Sequence, residues 1–273
     1  MDVTGTIDTR NPEETHREVT RIYEKRLGTT ITEGVTQTLE AIVSLFEGKY
    51  AGFQRCDTEY HDLEHTLQAY LAAARIFDGR IEENASSDLK EQMETGMIAS
   101  LGHDTGFIKE TNDIEGTGAK YSLIHVERSK SFMSMHLQKL GLKSSQIHCV
   151  NNAISCTGLE SDLSKIPFLS KEGRITGYIV GTADFLGQMS DPEYLRKLPS
   201  LFNEYQEGGV PGYNSAEDLV KKTPSFFEEF VMKRLAEDFQ SVYQYTAKHF
   251  KGKNLYIEGI RKNIKKIRNG NRS

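Results

Sequence analysis

The sequence predicts an all-α, single-domain helical bundle. Apolar residues recur at spacings of three and four along most of the 273-residue chain, which is the repeat of an amphipathic helix. No segment alternates apolar and polar side chains as a half-buried strand does, and no turn pair joins two β-branched runs. The chain has neither an internal repeat nor a linker-like stretch. We therefore expect one domain over residues 1–273, built from nine or ten helices.

The N-terminal helices are predicted within residues 11–48. Asn11, Pro12 and two following acids form a helix start, with a capping side chain, a proline in the first turn and negative charge near the positive end of the helix dipole. Apolar residues at helical spacing predict a second helix, which ends at Gly48: Val35, Leu39, Ile42, Val43 and Phe46.

The middle of the chain, residues 60–191, has the densest helical periodicity. Its apolar stripes predict helices around residues 63–77, 93–101, 121–140, 144–155 and 175–189. The polar, glycine-containing segment 108–120 and the segment around residues 208–212 are predicted loops.

The C-terminal helices are predicted within residues 215–267. Residues 215–218 resemble a capping box, and Pro224 is expected to open a last long helix. Residues 248–273 carry a net charge of +8, whereas the whole chain carries −5. We interpret this segment as a terminal helix with a solvated basic face; contact with anionic lipid or nucleic acid stays open as the alternative.

Composition excludes several classes of protein. The mean hydropathy is −0.53, and no apolar run approaches the roughly 18 residues that a membrane span needs. The N-terminus has no basic region followed by an apolar stretch, so no secretory signal is predicted. Three cysteines without close spacing fit a reducing compartment. We therefore expect a cytoplasmic protein without a membrane span, and the acidic body favours no specific nucleic-acid partner.

Histidines and acids at a few positions point to a metal centre. His61 and His65 are four residues apart on a predicted helix, so they are expected to share one face. His103 and Asp104 are adjacent at a predicted helix end, where both side chains can reach one ion. Asp184 lies in an otherwise apolar helix, where an isolated charge is costly. Imidazole and carboxylate ligands suit one or two divalent ions, Mn²⁺, Mg²⁺, Zn²⁺ or Fe²⁺.

The order of these residues resembles the HD-domain superfamily of metal-dependent phosphohydrolases. The segment from Tyr60 to His65 is similar to the Tyr-His-x-x-x-His signature of class I cyclic-nucleotide phosphodiesterases. The resemblance implies an HD-type catalytic domain with its core at residues 60–191, on which the helices at 11–48 and 215–267 pack. It also implies that His61 is the general acid and that the metal ligands are His65, His103, Asp104 and Asp184.

The chain departs from this pattern at two places. First, residues 105–107, directly after the His-Asp pair, read Thr-Gly-Phe, which differs from the residues that related phosphohydrolases have at this place. Second, no histidine occurs in residues 153–157, where members of the superfamily with a fully protein-ligated two-metal site have one. The resemblance implies that a second ion would rely on water, a bridging Asp104 and His125. His125 as a hydrogen-bonded core residue is the alternative. Lys120, at the end of a Gly-Thr-Gly loop, is a candidate substrate contact.

The resemblance implies hydrolysis of a small-molecule nucleotide phosphoester, in the first place a 3′,5′-cyclic nucleotide, by a metal-activated hydroxide. Asp104 would act as ligand and bridge, and His61 would protonate the leaving oxygen with Glu64 or Asp62 as its neighbouring acid. A di-iron HD-type oxygenase and a non-catalytic HD signalling module remain as alternatives. The oligomeric state stays open, a homo-oligomer included.

Overall fold

Eleven α-helices dominate residues 1–83 and 89–270, the part of the chain that this computed structural model describes. The helices are α1 (Pro12–Leu27), α2 (Glu33–Phe46), α3 (Leu63–Glu83), α4 (Leu89–Gly102), α5 (His125–Lys139), α6 (Ser144–Ile154), α7 (Lys171–Ser190), α8 (Tyr194–Glu207), α9 (Ala216–Ser225), α10 (Tyr245–His249) and α11 (Leu255–Arg268). The only β pairing in the described ranges is an isolated bridge between Phe53 and Glu110. The predicted all-α class is confirmed.

Helices α3 and α7 form the centre of the fold. Residues 65–80 of α3 and residues 176–187 of α7 are buried without interruption, as expected for helices enclosed on every side. A Cβ atom at Gly187 would lie 3.0 Å from the backbone nitrogen of Ala69, so glycine is what lets the two helices approach this closely. The other helices pack around this pair in one continuous apolar core that runs from α1 to α11.

A buried ion pair ties the N-terminal segment to α3. Arg75 donates to Asp2 at 2.5 Å and to the hydroxyl of Tyr256, on α11, at 3.1 Å. Its guanidinium also lies over the ring of Phe250, 5.3 Å from the centroid. Burial raises the pKa of Asp2, but the charge and hydrogen bonds of Arg75 outweigh burial, and the net shift is downward. Arg75 thus joins three parts of the chain that are distant in sequence.

Several predicted helix boundaries hold and others shift. The Asn11 side chain accepts from the backbone N–H of Glu14 at 3.1 Å, and Ser215 caps α9 through the N–H of Asp218, also at 3.1 Å. Helix α5 begins at His125, four residues after the predicted start. Pro224 does not open a helix: it lies inside α9, and a π-helical segment, Phe226–Val231, follows directly. A proline lacks the backbone N–H that an α-helix needs at that position. We therefore interpret the wider π-helical turn beside Pro224 as a local adjustment to the missing hydrogen bond.

Helices α8 and α11 differ in how well the sequence predicts them. Helix α8 was not predicted from the sequence, and it contains Pro199, a residue that is unfavourable inside a helix. Helix α11 buries Ile257, Ile260 and Ile264 and leaves its lysines and arginines outside, so the predicted basic-faced terminal helix is confirmed. Of the helices in the described part of the chain, none combines the length and apolarity needed to cross a membrane.

We expect Asp2→Ala to lower the free energy of unfolding by about 3 kcal/mol, because it leaves the Arg75 cation buried without its carboxylate. Urea denaturation followed by circular dichroism measures this loss. Asp8→Ala is the matched control, since Asp8 pairs with Arg10 at the surface and its removal should change stability by less than about 0.5 kcal/mol. Equal losses in the two variants would contradict the structural role of Arg75.

Candidate metal centre

Three separate elements bring four candidate ligands to one point beside the α3–α7 contact. His65 lies in the first turn of α3, and Asp184 lies in the middle of α7. His103 and Asp104 follow the last residue of α4, where the chain leaves the helix for a 3₁₀ turn, Thr105–Phe107. The helix end lets two adjacent side chains face the same point, as the sequence predicted.

His61 does not share a helix with His65, and this part of the prediction is wrong. Helix α3 begins at Leu63, because the Asp62 side chain caps it by accepting from the backbone N–H of His65 at 2.9 Å. His61 therefore stands before the cap, in a bend. The bend still brings its ring to 5.9 Å from the His65 ring, centroid to centroid. Asp62 thus acts as the helix cap, and the acid that contacts His61 is another residue, Glu204.

The donor atoms of the four residues converge. Nε2 of His65 lies 3.2 Å from Oδ2 of Asp104 and 3.2 Å from Oδ1 of Asp184. Nε2 of His103 lies 3.1 Å and 3.7 Å from the same two oxygens. The two Nε2 atoms are themselves 3.2 Å apart. His65, His103 and Asp104 are all buried and form a group that can hold a metal ion.

Ligand spacing tests the fit of an ion at this point. Two donors bound about 2.1 Å from an ion and at right angles to each other are about 3.0 Å apart. The distances here, 3.1–3.7 Å, are close to that value. In addition, Oδ2 of Asp104 is buried and has no hydrogen-bond partner, although two imidazole nitrogens stand next to it. A divalent ion at the convergence point would satisfy this oxygen, so the residues fit a metal.

Outer contacts orient the ligands. Nδ1 of His103 donates to the carbonyl of Ser100 at 2.8 Å, which leaves Nε2 as the atom with a lone pair for an ion. The Gln188 amide donates to Oδ1 of Asp184 at 2.9 Å and accepts from the Tyr60 hydroxyl at 2.8 Å. The tyrosine before His61 therefore has a structural role: it holds the side chain that orients a carboxylate ligand.

The electrostatics of the cluster favour added positive charge. Burial lowers the pKa of His65, but the neighbouring carboxylates of Asp104 and Asp184 outweigh burial and raise it to about 10. The pKa of His103 is raised in the same way, against burial, by Asp104. Burial raises the pKa of Asp104, yet His103 and His65 hold it well below its usual range. Buried carboxylates at this point require a cation, which is either a proton on each imidazole or a metal ion.

His125 faces the other oxygen of Asp104. Its Nε2 lies 3.9 Å from Oδ1 of Asp104, while Nδ1 donates to the carbonyl of Ser122 at 2.7 Å. Burial lowers its pKa, so the neutral ring presents a lone pair toward Asp104. Because Oδ2 faces His65 and His103 and Oδ1 faces His125, the carboxylate of Asp104 has the geometry of a bridge between two positions.

Two residues around His61 were missed in the sequence. Oε2 of Glu204, on α8, accepts from Nδ1 of His61 at 2.6 Å, and Oε1 accepts from the backbone N–H of Tyr60, also at 2.6 Å. Phe107 stacks against His61 with centroids 4.4 Å apart and against His125 at 4.5 Å. Glu204 lies 143 residues from His61 in an unpredicted helix, so the only signal was the apolar stripe of α8.

Two predicted neighbours lie elsewhere. The Lys120 ammonium pairs with Asp113 and donates to the carbonyl of Glu115, and Lys120 is absent from the described residues that line the cavity at the cluster. Glu64 accepts from Lys197 at 2.8 Å and not from His61. The substrate contact predicted for Lys120 stays a prediction that the geometry does not favour.

A cavity of about 390 Å³ opens onto the cluster. His61, His65, Asp104, His125 and Asp184 all line it, so it gives a small molecule access to the candidate ligands and to the free side of His61.

Comparison with known proteins gives one match. A family model described as Npun_R2479-like covers residues 13–269. No curated protein and no solved structure matches the chain.

We expect Asp104→Ala to lower the affinity for a divalent ion by at least about 100-fold. Removal of a residue that only orients a metal ligand typically costs 10- to 100-fold in affinity, and Asp104 is itself a candidate ligand, so its loss should cost more. Titration calorimetry with Mn²⁺ measures this affinity, and circular dichroism checks that the helices remain. Asp162→Ala, a carboxylate removed from an exposed turn, is the control and should bind the ion as the parent does. Unchanged affinity in the Asp104 variant would show that the ion sits elsewhere.

Proposed function

The chain belongs to the Npun_R2479-like family, and from the site described above we propose that it is a metal-dependent phosphohydrolase whose substrate is a nucleotide phosphoester, a 3′,5′-cyclic nucleotide in the first place. The observation that carries the proposal is the convergence of His65, His103, Asp104 and Asp184 at 3.1–3.7 Å, beside a fifth residue, His61, that stands outside the ligand group. This is the division of roles that the resemblance to HD phosphohydrolases implies.

A divalent ion bound there would supply a Lewis acid that polarises phosphoryl oxygens and lowers the pKa of water. The chain's own contribution is to hold the charge in place. His65, His103, Asp104 and Asp184 would hold the first ion, and the second oxygen of Asp104 together with His125 is available for another. Burial of these donors keeps competing water away and strengthens their electrostatic effect.

His61 has the contacts expected of a proton donor. Glu204 accepts from Nδ1, and since a carboxylate is acceptor-only, that nitrogen carries a hydrogen. The other nitrogen, Nε2, is then the one left to give a proton to the leaving oxygen as the phosphorus–oxygen bond breaks. Glu204 balances the charge while both nitrogens carry hydrogens. The stacked Phe107 ring fixes the plane of the imidazole.

We expect His61→Ala to lower kcat by about 10² to 10⁴ for an ester with a poor leaving group, because general-acid catalysis is lost, while bound metal is unchanged. The loss should shrink for a p-nitrophenyl ester, whose leaving oxygen departs without a proton. Glu204→Gln should show the same dependence on leaving group to a smaller extent. Steady-state kinetics with both esters measures kcat, and elemental analysis measures the bound metal. If His61→Ala loses the metal, His61 is a ligand. If kcat falls equally for both esters, His61 is not the general acid.

The proposal as a whole is tested by assaying the full chain, loaded in turn with Mn²⁺, Mg²⁺, Zn²⁺ and Fe²⁺, on cyclic nucleotides, nucleoside monophosphates and bis(p-nitrophenyl) phosphate. We expect metal-dependent hydrolysis of at least one of these phosphoesters. A chelator should abolish this hydrolysis, and Asp104→Ala should lack it. Oxygen consumption by the iron form would favour the di-iron oxygenase instead. Absence of any turnover in protein with full metal occupancy would favour the non-catalytic module.

A further inference from the structure

The cavity that leads to the metal centre restricts which phosphoester can enter. Resting on the proposed function, we propose that the site accepts a phosphodiester with a single negative charge whose organic half is apolar or flat and aromatic. The charge and polarity of the cavity wall carry this inference.

The wall facing the candidate ligands is apolar over most of its area. It is built from α8, the segment after it, α9 and the first residue of the π-helical segment that follows α9, together with one ring from α7. The side chains that form it are Phe185, Leu201, Val210, Pro211, Leu219 and Phe226. Tyr205 and Tyr213 extend it and stack on each other with centroids 5.7 Å apart. An organic group that enters the cavity therefore gains by leaving water, in proportion to its own apolar area.

No lysine or arginine is among the described residues that line this cavity. Its charged residues besides the candidate ligands are Glu127 and Glu160, both acids. Arg234 and Lys130 contact lining residues from outside and are already paired: Arg234 donates to the carbonyls of Gly158 and Ser161 and pairs with Asp238, and Lys130 pairs with Glu127. A second anionic group on a ligand would thus meet acids and apolar surface and would have no lysine or arginine in the wall to pair with, which is costly in a buried site.

Three hydroxyls and the amide in the wall are already engaged within the protein. Ser122, Thr157 and Thr223 each donate to a backbone carbonyl three or four residues earlier. Gln188 uses its amide nitrogen on Asp184 and its oxygen on Tyr60. These four groups are occupied within the protein, and the tyrosines of the wall offer aromatic ring surface, so the recognition of the organic half depends mainly on apolar contact.

These restrictions narrow the substrate class. A cyclic mononucleotide has one negative charge and a flat base, so it satisfies both. Nucleoside diphosphates and triphosphates carry further charges for which the wall has no partner, and a glycerol-type ester has no apolar group to bury.

Binding of non-natural diesters tests the inference without requiring turnover. The probes are diphenyl phosphate and dimethyl phosphate, which have the same charge and the same phosphodiester centre. Titration calorimetry on the full chain loaded with Mn²⁺ measures both dissociation constants. We expect diphenyl phosphate to bind at least about 30-fold more tightly, since burial of even one phenyl ring is worth a factor of that order. Equal affinities would overturn the proposal.

The charge restriction has its own probe, bis(4-carboxyphenyl) phosphate, which adds two carboxylates to diphenyl phosphate. We expect it to bind at least about 10-fold more weakly than diphenyl phosphate. Val210→Lys places a cation in the wall and should reduce that difference, whereas Leu169→Lys adds the same charge at an exposed position outside the cavity and should leave it unchanged. Equal binding of the two aromatic diesters by the parent protein would overturn the charge restriction.

The outcomes separate this inference from the proposed function. If diphenyl phosphate is preferred but no ester is hydrolysed, the proposed function fails and the binding preference stands. If esters are hydrolysed with no preference for apolar groups, the phosphohydrolase stands and the inference fails.

Discussion

The fold is organised around two buried carboxylates that have to be neutralised. Asp104 and Asp184 lie at the centre of a helical bundle, with imidazole nitrogens of His65 and His103 at 3.1–3.7 Å. Ionised carboxylates in such surroundings are stable only beside cations. The rest of the site follows from this requirement: two histidines supply nitrogen donors, and the group as a whole is arranged for a divalent ion. The close α3–α7 contact at Gly187, one turn after Asp184, places donors from different helices within reach of one another.

A polar network links the candidate acid to the candidate ligands. His61 contacts Glu204, Glu204 contacts the backbone of Tyr60, the Tyr60 hydroxyl contacts Gln188, and Gln188 contacts Asp184. The network therefore closes around a single dipeptide, Tyr60-His61, whose backbone and two side chains all take part. Fixing one end restricts the other, because each bond uses a specific atom of a buried group. This gives a physical role to the tyrosine that precedes His61 in this sequence.

The convergence of the candidate ligands could be anticipated from the sequence, because each of these residues is unusual in its local context. A carboxylate in an apolar helix, such as Asp184, and a His-Asp pair at a helix end, such as His103-Asp104, are costly unless they serve a site. The position of His61 was predicted for the wrong reason, since Asp62 starts α3 after it. Glu204 and Phe107 carry no such local signal: an acid in an amphipathic helix and an apolar residue after a turn are ordinary, and only the fold brings them to the imidazole.

The candidate ligands and the apolar wall of the cavity come from different parts of the fold. The candidate ligands and His61 come from α3, α7 and the segments directly before α3 and after α4, whereas the apolar cavity wall comes mostly from α8, α9 and the segment between them. Glu204 connects the two sets, because it belongs to α8, which contributes to the wall, and accepts from Nδ1 of His61. If the proposed function holds, a substitution at the rim is expected to change which organic group fits while the candidate ligands keep their positions, since none of them lies on α8 or α9.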